Sequence, residues 1–481
     1  MRPAAENRFL FPNQLKPLLE GLMEVGIPLY AVGGMVRDQL LGRDSKDLDI
    51  LVMVPSAVPR LTEKAQSLGM RSFPLDLERG TFRGIYQGWM LDFTEPRAPT
   101  LEEDLAARDF TINALAAPLT PETLRAGAPI IDPTGGIRDL VLRRVRTARA
   151  RNIMEDPLRA LRCYRFSLLL GFSVEQDTLA LAEEGLQHLG EVAGERVSEE
   201  LSLIFSHPSS HTLFKETARR GTLTTLFPSL DRCRGNLTGK WYGSDLLMHH
   251  VGVLKGTEIV LASLPSLIPD EWRPLRELLQ TRVEGGWTHK ALLKLSALFH
   301  DIGKPSCRRR EGEKVVFWGH DRSGEALAQE VVEQLRFGRS AATLLRVHIR
   351  EHMRMHLLAR PGEISRKAKG RYLKDLGEAA PLTPLLSLAD AWASSGEVGL
   401  FNLLPFVEEM VHFYYNHYLQ QGEPIKPLLN GHRVMELLKL SPGPQVGEVM
   451  ERLLDAQMEG TISTCQEAEE WLRSLARERD V

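Results

Sequence analysis

This chain has few cysteines, no bulk charge of either sign and no long apolar run, and each shortage excludes something. Its four cysteines, Cys163, Cys233, Cys307 and Cys465, lie far apart and form no CxxC pair. That spacing argues against a zinc ribbon and against a disulfide framework, and fits a reducing compartment. A formal net charge of −3 predicts no general affinity for nucleic acid, so any basic surface must be local. No apolar run approaches membrane-spanning length, so no membrane partner is expected. The polar surroundings of Glu6 and Arg8 leave no apolar signal segment, which makes the cytoplasm the expected location. There is no internal repeat and no low-complexity tract. What remains is a soluble globular composition, 43% hydrophobic and 26% charged, on a chain of 481 residues, long enough for several domains.

The organisation expected is α+β. Short apolar runs bounded by turn signals fill the first part of the chain. Pro28–Val32, Leu48–Val54, Thr81–Tyr86 and Trp89–Phe93 read as strands of a small mixed sheet with helices between them. After Arg149 the pattern becomes helical: Glu155–Leu170, Glu175–Leu189 and Ser198–Phe205 carry apolar residues at helical spacing. The loop-like stretches 207–210 and 231–243 are candidate separators. Four segments follow: a head over 1–148, a helical neck over 149–235, a second helical block over 240–395 and a helical tail over 396–481.

The richest signal is Ala31-Val-Gly-Gly-Met-Val-Arg-Asp38, with Asp47-Leu-Asp49 close behind at the start of an apolar run. A Gly33–Gly34 turn leaves backbone N–H groups free to face a triphosphate, and Arg37 follows one helical turn later. Asp47 and Asp49 are two apart on a strand, so both carboxylates project from one face and can share a pair of Mg²⁺ ions. Such a pair would activate a hydroxyl and stabilise departing pyrophosphate.

The local basic surface is also present. Nine arginines and no lysine fall between Arg138 and Arg165, a choice that favours phosphate or base-edge contacts. Within it, Glu155-Asp-Pro-Leu-Arg-Ala-Leu-Arg162 opens a helix at Pro157. Asp156, Arg159 and Arg162 are spaced by three along one expected face. Cytosine and adenine both offer an amino donor beside a ring-nitrogen acceptor; a carboxylate and an arginine complement that edge, and an aspartate there repels uracil and guanine. An ordinary surface ion pair would leave the same trace.

These segments resemble the class II CCA-adding enzyme and bacterial poly(A) polymerase family, polymerase-β-like nucleotidyltransferases. The resemblance is carried by Gly33-Gly34-Met-Val-Arg37-Asp38, Asp47-Leu-Asp49, Arg108-Asp109-Phe-Thr-Ile-Asn-Ala114, Asp132-Pro-Thr-Gly-Gly136 and Glu155-Asp-Pro-Leu-Arg159-Ala-Leu-Arg162. It implies untemplated addition of C and/or A from CTP or ATP to the tRNA 3′ end. Asp47 and Asp49 would hold Mg²⁺; Asp92 takes the place of a third acid, with Glu95 as its competitor. Gly33, Gly34 and Arg37 would hold the triphosphate, Arg108 and Asp109 would lie by the nucleotide near its ribose, and Asp156, Arg159 and Arg162 would read the base. Two departures stand out. Ala107 replaces the first of two arginines usual before Asp-Phe-Thr. The stretch from Phe93 to Leu101 is also shorter than the mobile loop of full CCA-adding relatives, which resembles the CC-adding branch.

In the second block, an apolar helix over 292–301 ends at His300-Asp301-Ile-Gly303-Lys-Pro305. His249, His320, His352 and Asp390 lie at intervals that could bring further helices to the same centre, with His348 and His356 set aside as structural or solvated. The set resembles the HD phosphohydrolase superfamily. It implies a site for a divalent transition metal or Mg²⁺ and a phosphatase or cyclic phosphodiesterase acting on RNA ends. The alternatives are a poly(A) polymerase, which the weakly basic tail argues against, and an HD phosphohydrolase whose head senses nucleotides, against which the paired Asp47 and Asp49 speak.

Overall fold

The computed structural model describes residues 8–54, 56–76, 80–236, 245–420, 423–424 and 426–479. The polar N-terminal stretch up to residue 7, the second half of the expected loop 231–243 and the expected domain start at 240 lie outside them. The chain forms two compact units, Met1–Glu200 and Leu201–Val481.

The first unit is built on a six-stranded sheet. The strands, with two of this unit's helices, are in chain order β1 (Leu29–Val32), α1 (Gly34–Leu40), β2 (Asp47–Val52), β3 (Arg71–Asp76), β4 (Thr81–Tyr86), β5 (Trp89–Thr94), α2 (Leu101–Ala106) and β6 (Ala116–Leu119). The strand order is β3-β4-β5-β2-β1-β6, with β2 and β5 parallel and every other pair antiparallel. The four strands expected from sequence are the four central ones. The two that sequence missed are the two edges, and each carries a proline, Pro74 or Pro118. A proline removes a ladder donor, so it is tolerated at an edge and weakens the strand signal there.

Alternation sets the faces. In β2, Leu48, Ile50 and Val52 are buried, and Leu91 and Phe93 of β5 join them in the core. Asp47, Asp49 and Asp92 consequently face the other way. After the sheet and three short helices, Pro121–Ala126, Gly136–Val141 and Arg151–Glu155, come three longer ones: α3 (Leu158–Leu170), α4 (Gln176–Gln187) and α5 (Gly194–Ser206), the last running across the unit boundary. All three agree with the helices expected there.

The second unit is mainly helical, with short antiparallel strand pairs. Its principal helices are α6 (Leu246–Leu267), α7 (His289–Phe299), α8 (His320–Gln334), α9 (Arg339–Glu351) and α10 (Thr383–Phe413), which kinks at Ser395–Gly396. Two of these pairs are hairpins, Arg282–Glu284 with Trp287–Thr288 and Arg309–Glu311 with Lys314–Val316. The long helices α6 and α10 pack together, and α7 is buried along almost its whole length against them. Beyond α10, helices Gly431–Leu438, Pro444–Glu459 and Cys465–Arg479 enclose a small core of Leu429, Val434, Val449, Leu453 and Leu472. All four cysteines are free.

Candidate active site

The head cleft begins at the turn between β1 and α1. Gly33 has φ +76°, a conformation a side chain would strain, and a Cβ there would stand 3.1 Å from Asp49 Oδ2 and 3.4 Å from an Arg108 nitrogen. The glycine corner and the second aspartate are therefore adjacent. Parallel pairing sets Asp49 opposite Asp92 and Asp47 opposite Met90. Three carboxylates thus share one sheet face. Burial, with the nearby charges of Asp92 and Asp47, raises the Asp49 carboxyl to about 6 against the opposing pull of Arg108. Asp92 is held by Arg83 of the neighbouring strand through two bonds of 2.8 and 2.6 Å. Glu95, the competing acid, instead accepts from the Ser56 amide at 2.7 Å.

Around this corner lies a cleft of about 950 Å³. Of the residues expected there, Gly33, Gly34, Arg37, Asp49, Arg108, Asp109, Asp156, Arg159 and Arg162 all line it. Several are already committed to partners. Arg37 is buried and donates to Asp38 at 2.8 and 3.0 Å and to Asn113 Oδ1 at 2.6 Å. Asp109 accepts from Phe110 N, Asn113 Nδ2 and, twice, from Arg162. Burial alone would raise the Asp109 carboxyl, but the charge of Arg162 and these bonds outweigh it and hold it well below the usual carboxylate range. Arg162 also reaches Glu200, which bonds Arg165 as well. The guanidinium groups of Arg37, Arg162 and Arg165 all lie over the Phe166 ring, at 5.2, 5.5 and 4.4 Å.

One expectation is corrected. Asp156, Arg159 and Arg162 do not share one helix face, because Asp156 lies before α3 in an extended conformation, φ −141° and ψ 92°. Pro157 enforces this, since its ring disfavours a helical residue before it. The displaced carboxylate is held by Arg196 at 3.0 and 3.3 Å. Arg159 donates to the Asn152 carbonyl at 3.2 Å. The aspartate and Arg159 both line the cleft, but they arrive from different elements.

Sequence reasoning missed Arg83, Asn113, Phe166, Arg196 and Glu200. Asn113 sits in the quoted Arg108–Ala114 segment, and its spacing of four from Asp109 was the available signal. Arg196 and Glu200 come from α5, whose approach no local pattern announces. Arg97, on the link 95–100, also lines the cleft, close enough to Arg108 and Arg159 to feel their charges.

The second unit holds a separate cluster. His300 and Asp301 follow the end of α7, and both are fully buried. Asp301 Oδ2 lies 3.1 Å from His300 Nε2 and 3.8 Å from His249 Nε2. Asp390 Oδ1 closes that group, 3.1 Å from His249 Nε2 and 3.9 Å from His300 Nε2. The other carboxylate oxygen of Asp301, Oδ1, lies 3.2 Å from His320 Nε2 and 3.3 Å from His352 Nε2, and those two nitrogens are 3.4 Å apart. All six residues expected at this centre are together.

The donor set fits a metal ion. His300, His320 and His352 each place Nδ1 against the backbone carbonyl three residues earlier, at 2.9, 2.8 and 2.6 Å. A carbonyl only accepts, so each Nδ1 carries the proton and each Nε2 lone pair points into the centre. An ion holding four donors at about 2.1 Å separates them by about 3.4 Å, close to the spacings seen. Burial would raise the Asp301 carboxyl, but Lys304 and His300 hold it well below its ordinary value. Lys304 bonds Asp301 Oδ2 directly. His348, set aside in the sequence, bonds Thr383 Oγ1 at 2.9 Å and burial pushes its pKa down to about 3. His356 is less remote than expected, 3.7 Å from Asp390 Oδ2. Both His250 ring nitrogens are buried with no hydrogen-bond partner among the described residues.

A glycine corner beside paired strand carboxylates, on a small mixed sheet with a following arginine-lined helix, defines a nucleotidyltransferase. Comparison with known proteins narrows the class. Residues 29–146 match the family described as "Poly A polymerase head domain", and residues 171–234 match "Probable RNA and SrmB- binding site of polymerase A". The chain is 32% identical over 462 residues to an A-adding tRNA nucleotidyltransferase of Deinococcus radiodurans, covering 93% of this chain and 95% of that one. It is 33% identical over 451 residues to a CC-adding tRNA nucleotidyltransferase of Thermus thermophilus, covering 92% of each. A solved CCA-adding enzyme in complex with CTP shares the fold at TM-score 0.64 and 21% identity, covering 96% of this chain and 94% of that one. The chain belongs to the tRNA nucleotidyltransferase and poly(A) polymerase family. Among the described residues, no helix is long and apolar enough to cross a membrane.

Proposed function

We propose that this protein, working in the cytoplasm, adds cytidines to the tRNA 3′ end, transferring CMP from CTP with release of pyrophosphate. The observation that carries the chemistry is the Gly33 corner, packed so closely on Asp49 that a Cβ on the glycine would stand 3.1 Å from the carboxylate, with Asp49 itself paired with Asp92 on the same sheet face. In this reading Asp47 and Asp49, flanked by Asp92, hold Mg²⁺. Bound there, Mg²⁺ supplies activation of the RNA 3′ hydroxyl and neutralisation of charge on the leaving pyrophosphate. The chain itself provides the rest. The amides after Gly33 face the triphosphate, and Arg97, Arg108 and Arg159 offset its negative charge. Asp109 fixes Arg162, and Asp156 and Arg159 complement the pairing edge of the base. Arg196 orients Asp156, and Phe166 gathers the arginines behind the nucleotide.

The choice of C rests on the short link from Thr94 to Leu101, six residues, and on relatives named CC-adding in Thermus thermophilus and Geobacter sulfurreducens. The test is incubation with tRNA ending at the discriminator base, with CTP and ATP separately and together. Two added residues with CTP, and no third when ATP is present, is the expected product. Single A addition only to tRNA already ending in CC overturns the choice of nucleotide but leaves the transferase intact. An unbounded ladder with ATP overturns both in favour of a poly(A) polymerase.

The oriented histidine cluster favours a second activity. His249, His300, Asp301, His320, His352 and Asp390 would hold a divalent transition metal or Mg²⁺, which supplies a nucleophilic water for phosphate-ester hydrolysis as an HD-type centre does. Hydrolysis of 2′,3′-cyclic or 3′-phosphate RNA ends, lost in Asp301→Asn, is the measurement.

A further inference from the structure

The hairpin Arg309–Val316 lies four residues before His320 of the histidine–aspartate cluster. Phe317 follows it, and its carbonyl holds His320 Nδ1 at 2.8 Å. Lys304, bonded to Asp301, lies 5.7 Å from the centre of the Phe317 ring. Gly319, with φ +82°, ends the three-residue turn Phe317–Gly319 that leads from the hairpin into α8. The hairpin exit is thus tied to the cluster on both sides.

Between these ties stands Trp318, 66% exposed. Tryptophan is costly to leave in water, and most of its neighbours in sequence at this exit are partly covered. The hairpin beside it is basic. Arg308, Arg309, Arg310 and Lys314 face two carboxylates, Glu311 and Glu313, and all six residues are exposed. Arg308 and Arg309 make no ion pair among the described residues. Arg309 pairs with Val316 and Arg310 with Val315 in the hairpin register, which spreads the cations over both of its faces. An exposed indole beside free guanidinium groups is the composition that binds unpaired nucleotides: the base stacks and the cations meet the phosphates. A protein partner would ask for a wider apolar patch, whereas along residues 308–320 the other large exposed apolar residue is Val315. From Trp318 to His320 is two residues, at most about 7 Å of chain. Trp318 and a cluster ligand are thus neighbours along the chain, which places a base stacked on the indole at the cluster's flank.

We propose that Trp318 and the hairpin Arg309–Val316 form a nucleotide-binding platform that presents an unpaired RNA 3′ end to the histidine–aspartate cluster. The proposal rests on the reading of that cluster as a phosphohydrolase centre, and its test separates the two. Binding of a fluorescein-labelled single-stranded oligoribonucleotide to the full-length protein is measured by anisotropy for the wild type, Trp318→Ala, Trp318→Phe and Arg308→Ala/Arg309→Ala. The same proteins are assayed for hydrolysis of an oligoribonucleotide 3′-phosphate and of phenyl phosphate, which has no base. Trp318→Ala is expected to weaken oligonucleotide binding at least about fivefold, and Trp318→Phe to restore most of it. The arginine double variant should reduce the salt dependence of binding. In hydrolysis, Trp318→Ala should lower the ratio of kcat/KM for the oligonucleotide to that for phenyl phosphate by a similar factor, chiefly through KM. If the wild type hydrolyses neither substrate with any divalent metal, the phosphohydrolase reading fails while the binding arm still decides the platform. Oligonucleotide binding unchanged in Trp318→Ala overturns the platform. So does equal loss in the Ala and Phe variants, which marks a structural role, and so does a change confined to self-association in sedimentation, which marks a protein interface.

Discussion

The two centres of this molecule are built by opposite means. In the head, three carboxylates lie on one face of a sheet at the edge of an open cleft, with no histidine among the residues lining it. In the second unit, four imidazoles and two carboxylates are enclosed by helices, and five of the six are at most 4% exposed. The first arrangement suits a hard ion that keeps water and shares substrate phosphates; the second suits a softer ion held by nitrogen. Their electrostatics differ in the same direction. Asp49 is raised to about 6 by burial first, with the charges of Asp92 and Asp47 adding to it against Arg108, so its ionised form is disfavoured until a cation enters. Asp301 is lowered because Lys304 and His300 already neutralise it, burial notwithstanding. A centre that waits for its metal and nucleotide together is open and repulsive, whereas one that keeps its metal is closed and compensated.

The largest effect should come from separating the two by mutation. Asp47→Ala or Asp49→Ala is expected to lower CMP transfer by at least about a thousandfold, with tRNA affinity by filter binding within about threefold of wild type. Asp301→Asn is expected to abolish phosphohydrolysis. Retained transfer in Asp49→Ala would remove the basis for the head as the transferase centre. Chelation sharpens the contrast: after metal removal, Mg²⁺ should restore transfer, and a transition metal such as Co²⁺ or Ni²⁺ should restore hydrolysis more fully than Mg²⁺ does. Restoration of both by Mg²⁺ to the same extent would erase the difference drawn from donor type.

A smaller effect tests the recognition side of the cleft. Asp156→Ala should lose discrimination between CTP and UTP by about tenfold or more, since a carboxylate facing a carbonyl is the repulsive element. Arg196→Ala, which frees that carboxylate without removing it, should lose less. Single-nucleotide incorporation with CTP and UTP reads both. Discrimination unchanged in Asp156→Ala would leave base choice to other residues of the cleft.

These residues also show where the sequence is a good guide. Period-two alternation placed the central strands, and a spacing of two put Asp47 and Asp49 on one face, because both signals are local. The edge strands were hidden by Pro74 and Pro118. The base-reading trio was drawn on one helical face by spacing alone, and Pro157 breaks that face through a steric effect on Asp156. Arg83, Arg196 and Glu200 were invisible for a different reason: each acts through a partner at least nine residues away in the chain, and nothing in their own surroundings marks them. The histidine cluster was legible as a set of types, but the three carbonyl contacts that orient its rings depend on helix ends that only the fold supplies.

The smallest effect concerns the cost of burying the Asp49 charge. Its carboxyl titrates at about 6 in the folded protein against 3.8 in the reference state, so the native protein binds the extra proton. Stability should therefore rise as pH falls from above 6 towards 4, and the cost of ionising Asp49 is fully present only above about pH 6. The shift sets an upper bound of about 3 kcal/mol, and partial exposure of the side chain reduces the expected value to about 1–2 kcal/mol. Asp49→Asn removes that cost. In metal-free protein at pH 8 it should raise the unfolding temperature of the head by a few degrees, and at pH 4.5 by only about a third as much. Added Mg²⁺ should close the gap at pH 8 by stabilising the wild type alone, because only the wild type presents the charge. A variant equally stable at both pH values, or one destabilised at pH 8, would show that Arg108 already compensates Asp49 and that the head resembles the closed centre more than the comparison allows.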